Sequence, residues 1–326
     1  MKCAHKKEVV NMKWLLSLSV FLGLISQLHA QNARYGPMST EWLQSGHDYK
    51  KTRRAPLKCT SPANVNRVWT SEDSPGNWFS SGGAVYNNTF DWDNNGYVEV
   101  SGGGEDCDQW DCDVLWRLHH GGGGIIFQTG YGEEYYTTYW ATGYTNTGES
   151  RVAMHIDDDF KLQRGNGSLI YSVGVGWNVS DITVADLNND NCAEVYVQHS
   201  NNFRALNLCA NNYSAIWSVP QDGWTIGSAI GFVQNVGSWD IVLSNVNNGN
   251  ARIIIRDALS GAWKNTINMG TGANYMTLPT LVDIDNDGRD EIIVAYAGET
   301  VNGPYLSMRI LFPCLRHNYY YKYFCI

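Results

Sequence analysis

The sequence predicts an all-β fold on the strength of three observations. Charged residues make up only 17% of the 326 residues, while aromatic residues reach 13%. Short runs of β-branched residues alternate with turns rich in Gly and Asn, and no long run follows the helical period of 3.6 residues. An acidic loop of nine residues recurs between such runs, beginning at Asp91, Asp186 and Asp283. These features together favour many short strands joined by tight turns.

The N-terminus has the pattern of a secretory signal peptide. Basic residues precede an apolar run from Trp14 to Leu28, and a small residue follows at Ala30. We expect residues 1–30 to be removed, leaving a secreted chain without a membrane span, because a spanning helix needs ~20 apolar residues and this run is shorter. Two alternatives stay open at this point: a start at Met12, and an uncleaved anchor.

Composition also bounds the partners and the redox compartment. A formal net charge of −9 argues against nucleic acid as a partner. Seven cysteines follow Cys3, and secretion favours disulfides over zinc ligands, although the pairing of three of them, Cys59, Cys314 and Cys325, is left open. Triplets of the N-x-S/T type predict glycosylation in a eukaryotic host, and they begin at Asn87, Asn166, Asn178 and Asn212.

The loop that begins at Asp283 has the pattern of a calcium site. Asp283, Asp285 and Asp287 stand at positions 1, 3 and 5, Gly288 stands at position 6, and Glu291 stands at position 9. Oxygens at alternate positions can converge on one hard cation, and the Gly allows the sharp turn. An EF-hand would need its Glu at position 12 between two helices, whereas β-branched residues flank this loop. The loop therefore predicts a metal site between two strands.

The spacing of the three loops indicates a repeat. The second loop has the same pattern except that Asn191 takes the place of the Gly, a residue that also adopts left-handed geometry. The loops begin roughly 96 residues apart, which is twice the ~40–50 residues of a four-stranded propeller blade. Two further units should lie between them, at Ser228–Leu243 without acidic ligands and at Tyr135–Ile156 by spacing alone. The sequence thus predicts a β-propeller of four-stranded blades, with five visible.

Each unit is followed by a second hairpin with a turn of Gly and Asn residues. In a blade, the loop between strands one and two and the turn between strands three and four lie at the same end. Cys192 and Cys209 can therefore meet, and we predict a disulfide between them. We also predict a local disulfide between Cys107 and Cys112.

The two ends of the chain differ from the repeats. Asn66–Ser71 has the pattern of an outer strand and is predicted to complete the last blade, closing the ring beside a third strand at Tyr305–Phe312. Residues 31–65 form an N-terminal segment before the propeller of residues 66–312. Residues 313–326 are atypical: they are either a genuine tail or a truncated or misread gene end that hides further blades.

These loops resemble the FG-GAP and VCBS repeats of integrin α-like β-propellers over about residues 66–312. The resemblance implies bound Ca²⁺, which an all-oxygen shell with several carboxylates favours over Mg²⁺. Residues at position 7 would contribute backbone carbonyls. The ligands that the resemblance implies are Asp91, Asp93, Asn95, Tyr97 and Glu99; Asp186, Asn188, Asp190, Cys192 and Glu194; and Asp283, Asp285, Asp287, Arg289 and Glu291.

The predicted function is that of a secreted binding or adhesion module for an extracellular glycan or protein. Calcium is expected to brace the hairpins, because an unfolded chain cannot hold the cage and the binding energy then adds to folding. Aromatic side chains could stack on sugars or anchor a protein, and the candidates are Trp78, Trp92, Trp110, Trp140, Trp177, Trp224 and Trp239. Within this set Trp177 and Trp224 lie in links between blades and could face either way. Trp116, Trp217 and Trp263 fall inside strand patterns and are expected to pack between blades.

The alternative function is a polysaccharide lyase or hydrolase, because propellers with related repeats occur among rhamnogalacturonan lyases. Lyase chemistry needs a base and a cation beside the uronate carboxylate. His119–His120 and His155, which precedes Asp157–Asp159, are candidate bases. The sequence has no nucleophile elbow, zinc protease or P-loop motif. We therefore expect binding rather than catalysis and assign no catalytic residue.

Overall fold

The computed structural model describes residues 50, 88–93, 99–107, 112–119, 125–133, 139–156, 159–176, 181–300, 303–312 and 320–324. All regular structure in these residues is β-strand, and the strands form five antiparallel sheets. The first sheet contains β1 (Asn88–Phe90), β2 (Glu99–Cys107), β3 (Cys112–His119) and β4 (Ile125–Glu133). The second contains β5 (Tyr139–Tyr144), β6 (Ser150–Ile156), β7 (Asp159–Arg164) and β8 (Leu169–Gly174).

The remaining three sheets follow in chain order. The third contains β9 (Thr183–Ala185), β10 (Glu194–His199), β11 (Asn202–Asn207) and β12 (Ala215–Pro220). The fourth contains β13 (Trp224–Gly231), β14 (Asp240–Asn247), β15 (Asn250–Asp257) and β16 (Trp263–Thr271). The fifth has a broken inner strand, β17 (Ala273–Met276) and β18 (Thr280–Val282), followed by β19 (Glu291–Thr300), β20 (Gly303–Phe312) and β21 (Tyr320–Phe324).

The sheets are arranged as the blades of a β-propeller, as the sequence predicts. Within each sheet, strands that are neighbours in sequence pair with one another. Consecutive sheets meet through their inner strands: β1 contacts β5, β5 contacts β9, β9 contacts β13, and β13 contacts β18. The two units that lack a full acidic loop are also confirmed, since Tyr135–Ile156 contains β5 and β6 and Ser228–Leu243 contains the end of β13 and the start of β14.

Burial follows the order of strands within a blade. Inner and second strands such as β9 and β10 are buried along almost their whole length, because both of their faces pack against neighbouring sheets. Outer strands such as β8 and β12 alternate between exposed and half-buried side chains. The core therefore lies between the faces of adjacent sheets, and its largest fully buried side chains are Trp140, Tyr196, Phe90, Phe160, Phe203, Met154 and Leu162.

Acidic loops and outer turns lie at the same end of a blade. The Leu208 amide donates to the Ala193 carbonyl at 2.9 Å, which ties the turn after β11 to the loop before β10. The equivalent bond in the fourth sheet joins the Ala258 amide to the Trp239 carbonyl at 3.0 Å. The predicted disulfide between Cys192 and Cys209 is formed at this end, with Cα atoms 5.7 Å apart. In the first sheet, Cys107 and Cys112 are paired in register.

The outer edge of the fifth sheet is formed by the C-terminal strand β21, which pairs with β20 from Met308 to Phe312. The sequence pattern predicts Asn66–Ser71 at this edge, and that segment lies outside the described residues, as do residues 1–49 with the predicted signal peptide. Tyr305–Phe312 is confirmed as part of the third strand. Among the residues that the structure describes, no helix is long and apolar enough to span a membrane.

Several predictions about tryptophan are settled by burial. Trp217 packs between blades as predicted, and its indole N–H donates to the Ala258 carbonyl of the next sheet at 3.0 Å. The prediction for Trp263 is wrong: it begins the outermost strand of its sheet and is 62% exposed. Trp140 cannot stack on a ligand, because it is fully buried at the start of β5. The placement of Trp78, Trp110 and Trp177, and the side chain of Trp116, fall outside the described structure.

Candidate metal sites

The acidic loop of the third sheet is held by its own side chains. The Asp186 carboxylate accepts the Asn191 amide through Oδ2 at 3.1 Å, and the Asp190 carboxylate accepts the Cys192 amide at 2.7 Å. Asn188 Oδ1 accepts the Asp190 amide at 2.9 Å. Asn191 adopts the left-handed geometry expected at position 6, with φ of 63°. The loop therefore turns around oxygens that face its interior.

The loop of the fifth sheet repeats this arrangement. Asp283 Oδ2 accepts the Gly288 amide at 3.0 Å, Asp285 Oδ1 accepts the Asp287 amide at 3.2 Å, and Asp287 Oδ1 accepts the Arg289 amide at 2.9 Å. Gly288 is left-handed, with φ of 87°. The same oxygens thus bond the same loop positions in the two sheets, as the matching residue types predict.

A glutamate at position 9 closes the base of each acidic loop. Its carboxylate accepts the backbone amide of position 2, from Trp92 to Glu99 at 3.2 Å and from Leu187 to Glu194 at 2.9 Å. In the fifth sheet, the Ile284 amide donates to Glu291 at 2.6 Å. Because this bond recurs in all three loops, the glutamate has one structural role that does not require an ion.

The carboxylates of each loop converge. Three groups offer oxygens that all lie within 4.8 Å of one another, and they are Asp91, Asp93 and Glu99; Asp186, Asp190 and Glu194; and Asp283, Asp285 and Asp287. Two oxygens bound to one calcium ion at about 2.4 Å can be at most ~4.8 Å apart. The three clusters therefore fit a single hard cation each.

Electrostatics in the third sheet favour a cation. The pKa of Glu194 is raised to about 8, mainly by burial and to a smaller extent by the nearby carboxylates of Asp186 and Asp190. Burial also raises the pKa of Asp186, whose Oδ1 is buried without a hydrogen-bond partner. In the fifth sheet the pKa of Glu291 is raised by burial and by the carboxylates of its own loop. A divalent cation would relieve this crowding, since it favours the charged form of each carboxylate.

The three clusters are not identical. In the fifth sheet, the convergent group contains only the first three aspartates, and the Arg289 guanidinium forms an ion pair with Asp287. In the third sheet, Cys192 at position 7 is held by its disulfide to Cys209, so its backbone carbonyl is the group left for a metal. Asn95 and Tyr97 of the first loop lie outside the described residues.

The catalytic candidates receive no support from burial. His155 is fully buried in β6, and neither ring nitrogen has a hydrogen-bond partner, so it cannot reach a substrate. Burial lowers its pKa to about 3, with a smaller effect of His199. Asp159 pairs with Lys161 and Ser172. His120, Asp157 and Asp158 lie outside the described residues, and His119 is described only as the last residue of β3.

A polar network at the opposite end was not anticipated from the sequence. Arg252 donates to the Asp222 carboxylate at 2.6 Å and to Asn245 Oδ1 at 2.7 Å, and Asn247 donates to Asp222 at 2.7 Å. The hydrogen bond from Arg252 lowers the pKa of Asp222. Trp224 follows in the chain at the start of β13 and is 42% exposed. The Asn and Arg residues along β14 and β15 were the available signal in the sequence. Only the pairing of those strands brings these side chains to Asp222.

Tyr275 lies in the corresponding half of the next inner strand. It belongs to β17, which contacts β14 and β15 of the fourth sheet, and 67% of the residue is exposed. Both aromatic residues are therefore at the end of the propeller that carries the turns between second and third strands. That end is away from the acidic loops.

Comparison with known proteins adds only distant structural likenesses. No family model matches the chain, and no curated protein matches it. It is similar to hydrazine synthase of Kuenenia stuttgartiensis at 11% identity, with a TM-score of 0.47, over 70% of this chain and 63% of that one. The chain thus spans less than two thirds of that protein chain.

Two further solved structures are similar at comparable levels. A chain in the crystal structure of BBS1N in complex with ARL6DN shares 11% identity, with a TM-score of 0.41, over 76% of this chain and 83% of that chain. A protein of unknown function from Bacteroides caccae shares 12% identity, with a TM-score of 0.33, over 64% of this chain and 73% of that chain.

Proposed function

We propose that this chain is a secreted, calcium-binding β-propeller that acts as an extracellular binding module, with calcium bracing the hairpins. The observation that carries the proposal is the recurrence of one convergent carboxylate cluster in three sheets, at 4.8 Å or less between ligand oxygens. The residues that would hold the ions are those predicted from the FG-GAP and VCBS resemblance. A bound ion supplies positive charge where burial and crowding otherwise disfavour ionised carboxylates.

Secretion is supported by the disulfide between Cys192 and Cys209, because such bonds persist in oxidising compartments. The N-x-S/T acceptors Asn166 and Asn212 are exposed, and they stand in the turns between the third and fourth strands of their sheets. Glycans at these turns would cover the outer rim at the end that carries the acidic loops. The opposite end is then the surface for a ligand.

That opposite end has the chemistry of a sugar-binding surface. Trp224 and Tyr275 offer exposed aromatic faces, and the fixed donors and acceptors of Asp222, Asn247 and Arg252 lie next to the start of β13. Aromatic rings with a polar neighbourhood contact the apolar face of a sugar while hydroxyl groups find hydrogen-bond partners. We assign the ligand as a glycan, with a protein partner as the competing outcome.

Metal analysis and melting of the full chain test the calcium component. We expect three calcium ions per chain, one for each convergent group, and a lower melting temperature in EDTA that calcium restores. Magnesium at the same concentration should restore less. A chain that retains no calcium after desalting and melts identically in EDTA and calcium would remove the calcium component.

Glycan-array binding with matched variants tests the surface. Trp224→Ala and Tyr275→Ala should each weaken binding to the best glycan by about tenfold or more, as expected for aromatic anchors. Trp263→Ala is the matched control, because this tryptophan is also exposed but stands at the other end of its sheet. Equal losses in all three variants would contradict the assignment. Binding of a protein partner that neither Trp224→Ala nor Tyr275→Ala weakens would also contradict it.

A further inference from the structure

The first, third, fourth and fifth sheets share one hairpin register, and this register defines a base residue in each. The last residue before the first loop pairs with the base residue, which begins the second strand. These pairs are Phe90 with Glu99, Ala185 with Glu194, Gly231 with Asp240, and Val282 with Glu291. A carboxylate is therefore present at the base of all four hairpins, although the sheets differ in what balances its charge.

The fourth sheet keeps the base carboxylate without the acidic cluster. Asp240 Oδ2 accepts the amides of Val233 at 3.1 Å and Gln234 at 2.7 Å. The bond to Val233, at position 2, is the one that Glu194 and Glu291 make in their own loops. Positions 1, 3 and 5 of this loop are Phe232, Gln234 and Val236, none of which is a carboxylate. Asp240 is nevertheless fully buried, so its charge needs a partner.

The Lys264 ammonium is that partner. It lies 2.5 Å from Asp240 Oδ1, 3.1 Å from Asp257 Oδ2 and 2.9 Å from Ser238 Oγ. Its three donors thus meet three acceptors. Two of these acceptors stand at positions 9 and 7 of the loop, which are positions that the calcium pattern also uses. The ammonium therefore binds the position 9 carboxylate that an ion would bind, and at position 7 it binds the side-chain hydroxyl of Ser238.

Lys264 owes its position to a bulge that recurs around the propeller. In each of the first four sheets, the pairing of the third and fourth strands skips one residue near the outer turn. The skipped residues are Ile126, Ile170, Ile216 and Lys264. A bulge re-aims the side chain that it carries. Lys264 is the one lysine among these four residues. It stands in the fourth sheet, whose loop has a base carboxylate and no acidic cluster.

The second sheet departs from this register, because its first loop is shorter and the pair that closes it is Tyr144 with Ser150. Its charged side chains nevertheless pair within the protein. Arg151 donates to the Leu208 carbonyl at 2.8 Å and pairs with Glu149 at 3.1 Å, and Glu149 also pairs with Arg164 at 2.8 Å. The second and fourth sheets therefore lie between the three acidic ones with their charges already paired.

We propose that Lys264 is a built-in cation that takes the place of a calcium ion in the fourth sheet, so that this hairpin keeps its geometry without any ion from solution. The comparison with calcium rests on the proposed function; the role of the ammonium does not. Of the four sheets that share the register, three then take a cation from solution and the fourth contains its own.

Hydrogen exchange of the full-length protein, with and without EDTA, tests the proposal. In the wild type, EDTA should reduce protection of the loops at 186–194 and 283–291 by about tenfold or more and leave the loop at 232–240 unchanged. Lys264→Ile, which installs the residue of the other bulges, should reduce protection at 232–240 by about tenfold in calcium and in EDTA alike. Asp240→Asn combined with Lys264→Ile neutralises both partners, and it keeps the test valid if the single variant fails to fold.

The outcomes separate the two proposals. EDTA-insensitive loops at 186–194 and 283–291 would remove the calcium proposal, and the Lys264→Ile result would still decide the role of the ammonium. Loss of protection at 232–240 on adding EDTA to the wild type would overturn the built-in cation. Unchanged protection of that loop in Lys264→Ile would also overturn it. The reciprocal variant Ile216→Lys should make the loop at 186–194 resist EDTA and lower the calcium content by one ion, and retention of every ion would count against the proposal.

Discussion

At the scale of single residues, two requirements conflict at the base glutamate of each acidic loop. The base glutamate must be buried to accept a backbone amide, and its charge then meets other carboxylates at short range. Glu194 shows both, since it accepts the Leu187 amide while burial and neighbouring aspartates raise its pKa. We expect a loop of this kind to be more stable with a cation than without one, because like charges disfavour each other in a partly buried site.

Substitution of Glu194 should therefore have opposite effects in the two states. In Glu194→Gln, the side-chain carbonyl can still accept the Leu187 amide, while one negative charge is lost. We expect the melting temperature in EDTA to stay equal or rise, and the calcium affinity of this loop to fall by about tenfold or more. Titration calorimetry and melting curves measure both quantities.

Asn188→Asp is the matched variant for this prediction. It places a carboxylate at position 3, as Asp93 and Asp285 do in the other loops. Calcium affinity should rise and stability in EDTA should fall. Equal calcium responses of wild type, Glu194→Gln and Asn188→Asp would show that this cluster does not bind the ion.

Burial of His155 predicts a pH dependence of stability that arises from a basic group rather than from a carboxylate. Its imidazole is buried without hydrogen bonds, and burial lowers its pKa from 6.5 to about 3. The unfolded chain therefore binds more protons between these values, so stability is complete above pH 6.5 and is lost as the pH falls. Between pH 6.5 and 5.0 we expect a loss on the order of 2 kcal/mol in the free energy of unfolding.

Urea unfolding at these two pH values, in saturating calcium, measures the effect. His155→Leu should lose less stability over this range than the wild type by about the same 2 kcal/mol. His199→Gln should also reduce the loss over this range, because burial and Arg204 lower the pKa of His199 to about 4. Parallel pH profiles for wild type and His155→Leu would contradict the prediction.

At the scale of elements, the blades interlock through outer turns. The ring of Trp217 in β12 lies against the turn between β15 and β16 of the next sheet. A Cβ atom on Gly261 would stand 2.7 Å from Trp217 Cε3, and its φ of +73° is left-handed. Glycine at this turn is thus required both by the backbone and by the close approach of an aromatic ring.

A pair of alanine substitutions separates these two requirements. Gly237 also has a left-handed φ, +81°, but its Cβ would meet nothing within 4 Å. Gly237→Ala should cost about 1 kcal/mol for the backbone alone. Gly261→Ala should cost a further 1–3 kcal/mol or so, because the Trp217 ring must move. Urea unfolding of both variants gives the difference, and equal losses would contradict the interlock.

At the scale of the whole molecule, Lys50, which is the part of the N-terminal segment that the structure describes, is tied to the last two sheets. The Lys50 carbonyl accepts the Leu281 amide at 2.9 Å, and Lys50 Nζ lies 2.7 Å from Asp290 Oδ1. Asp290 also accepts the Phe232 amide through Oδ2 at 2.9 Å. This buried carboxylate therefore joins three parts of the chain, two of which are 240 residues apart in sequence.

Replacing Lys50 should show how much the buried Asp290 carboxylate destabilises the fold when it has no ammonium partner. Lys50→Met leaves Asp290 without its ammonium partner and should lower the free energy of unfolding by about 2–3 kcal/mol, allowing for the partial exposure of the lysine. In Lys50→Met combined with Asp290→Asn, most of this loss should return, because the amide oxygen can still accept the Phe232 amide. Urea unfolding of the singles and the double measures the coupling. Additive losses would show that the two side chains do not interact.

Local patterns in the sequence determined the architecture. The repeat spacing predicts five four-stranded units, and the residue types in each loop predict which oxygens bond which amides, because those bonds span nine residues or fewer. The disulfide between Cys192 and Cys209 was also predictable, since blade topology places both cysteines at one end. These features follow from short-range geometry that repeats in every blade.

Tertiary packing decided what the sequence could not. Trp263 carries the same strand pattern as Trp217, yet one is exposed at a sheet edge and the other is covered by the next blade. Lys264 is one lysine among many in the sequence, and only a bulge and the meeting of three strands bring it to Asp240. Such outcomes depend on which distant residues become neighbours. The sequence therefore specified the acidic loops by itself. The tertiary structure decided how the fourth sheet, which has no acidic cluster, balances the charge of Asp240.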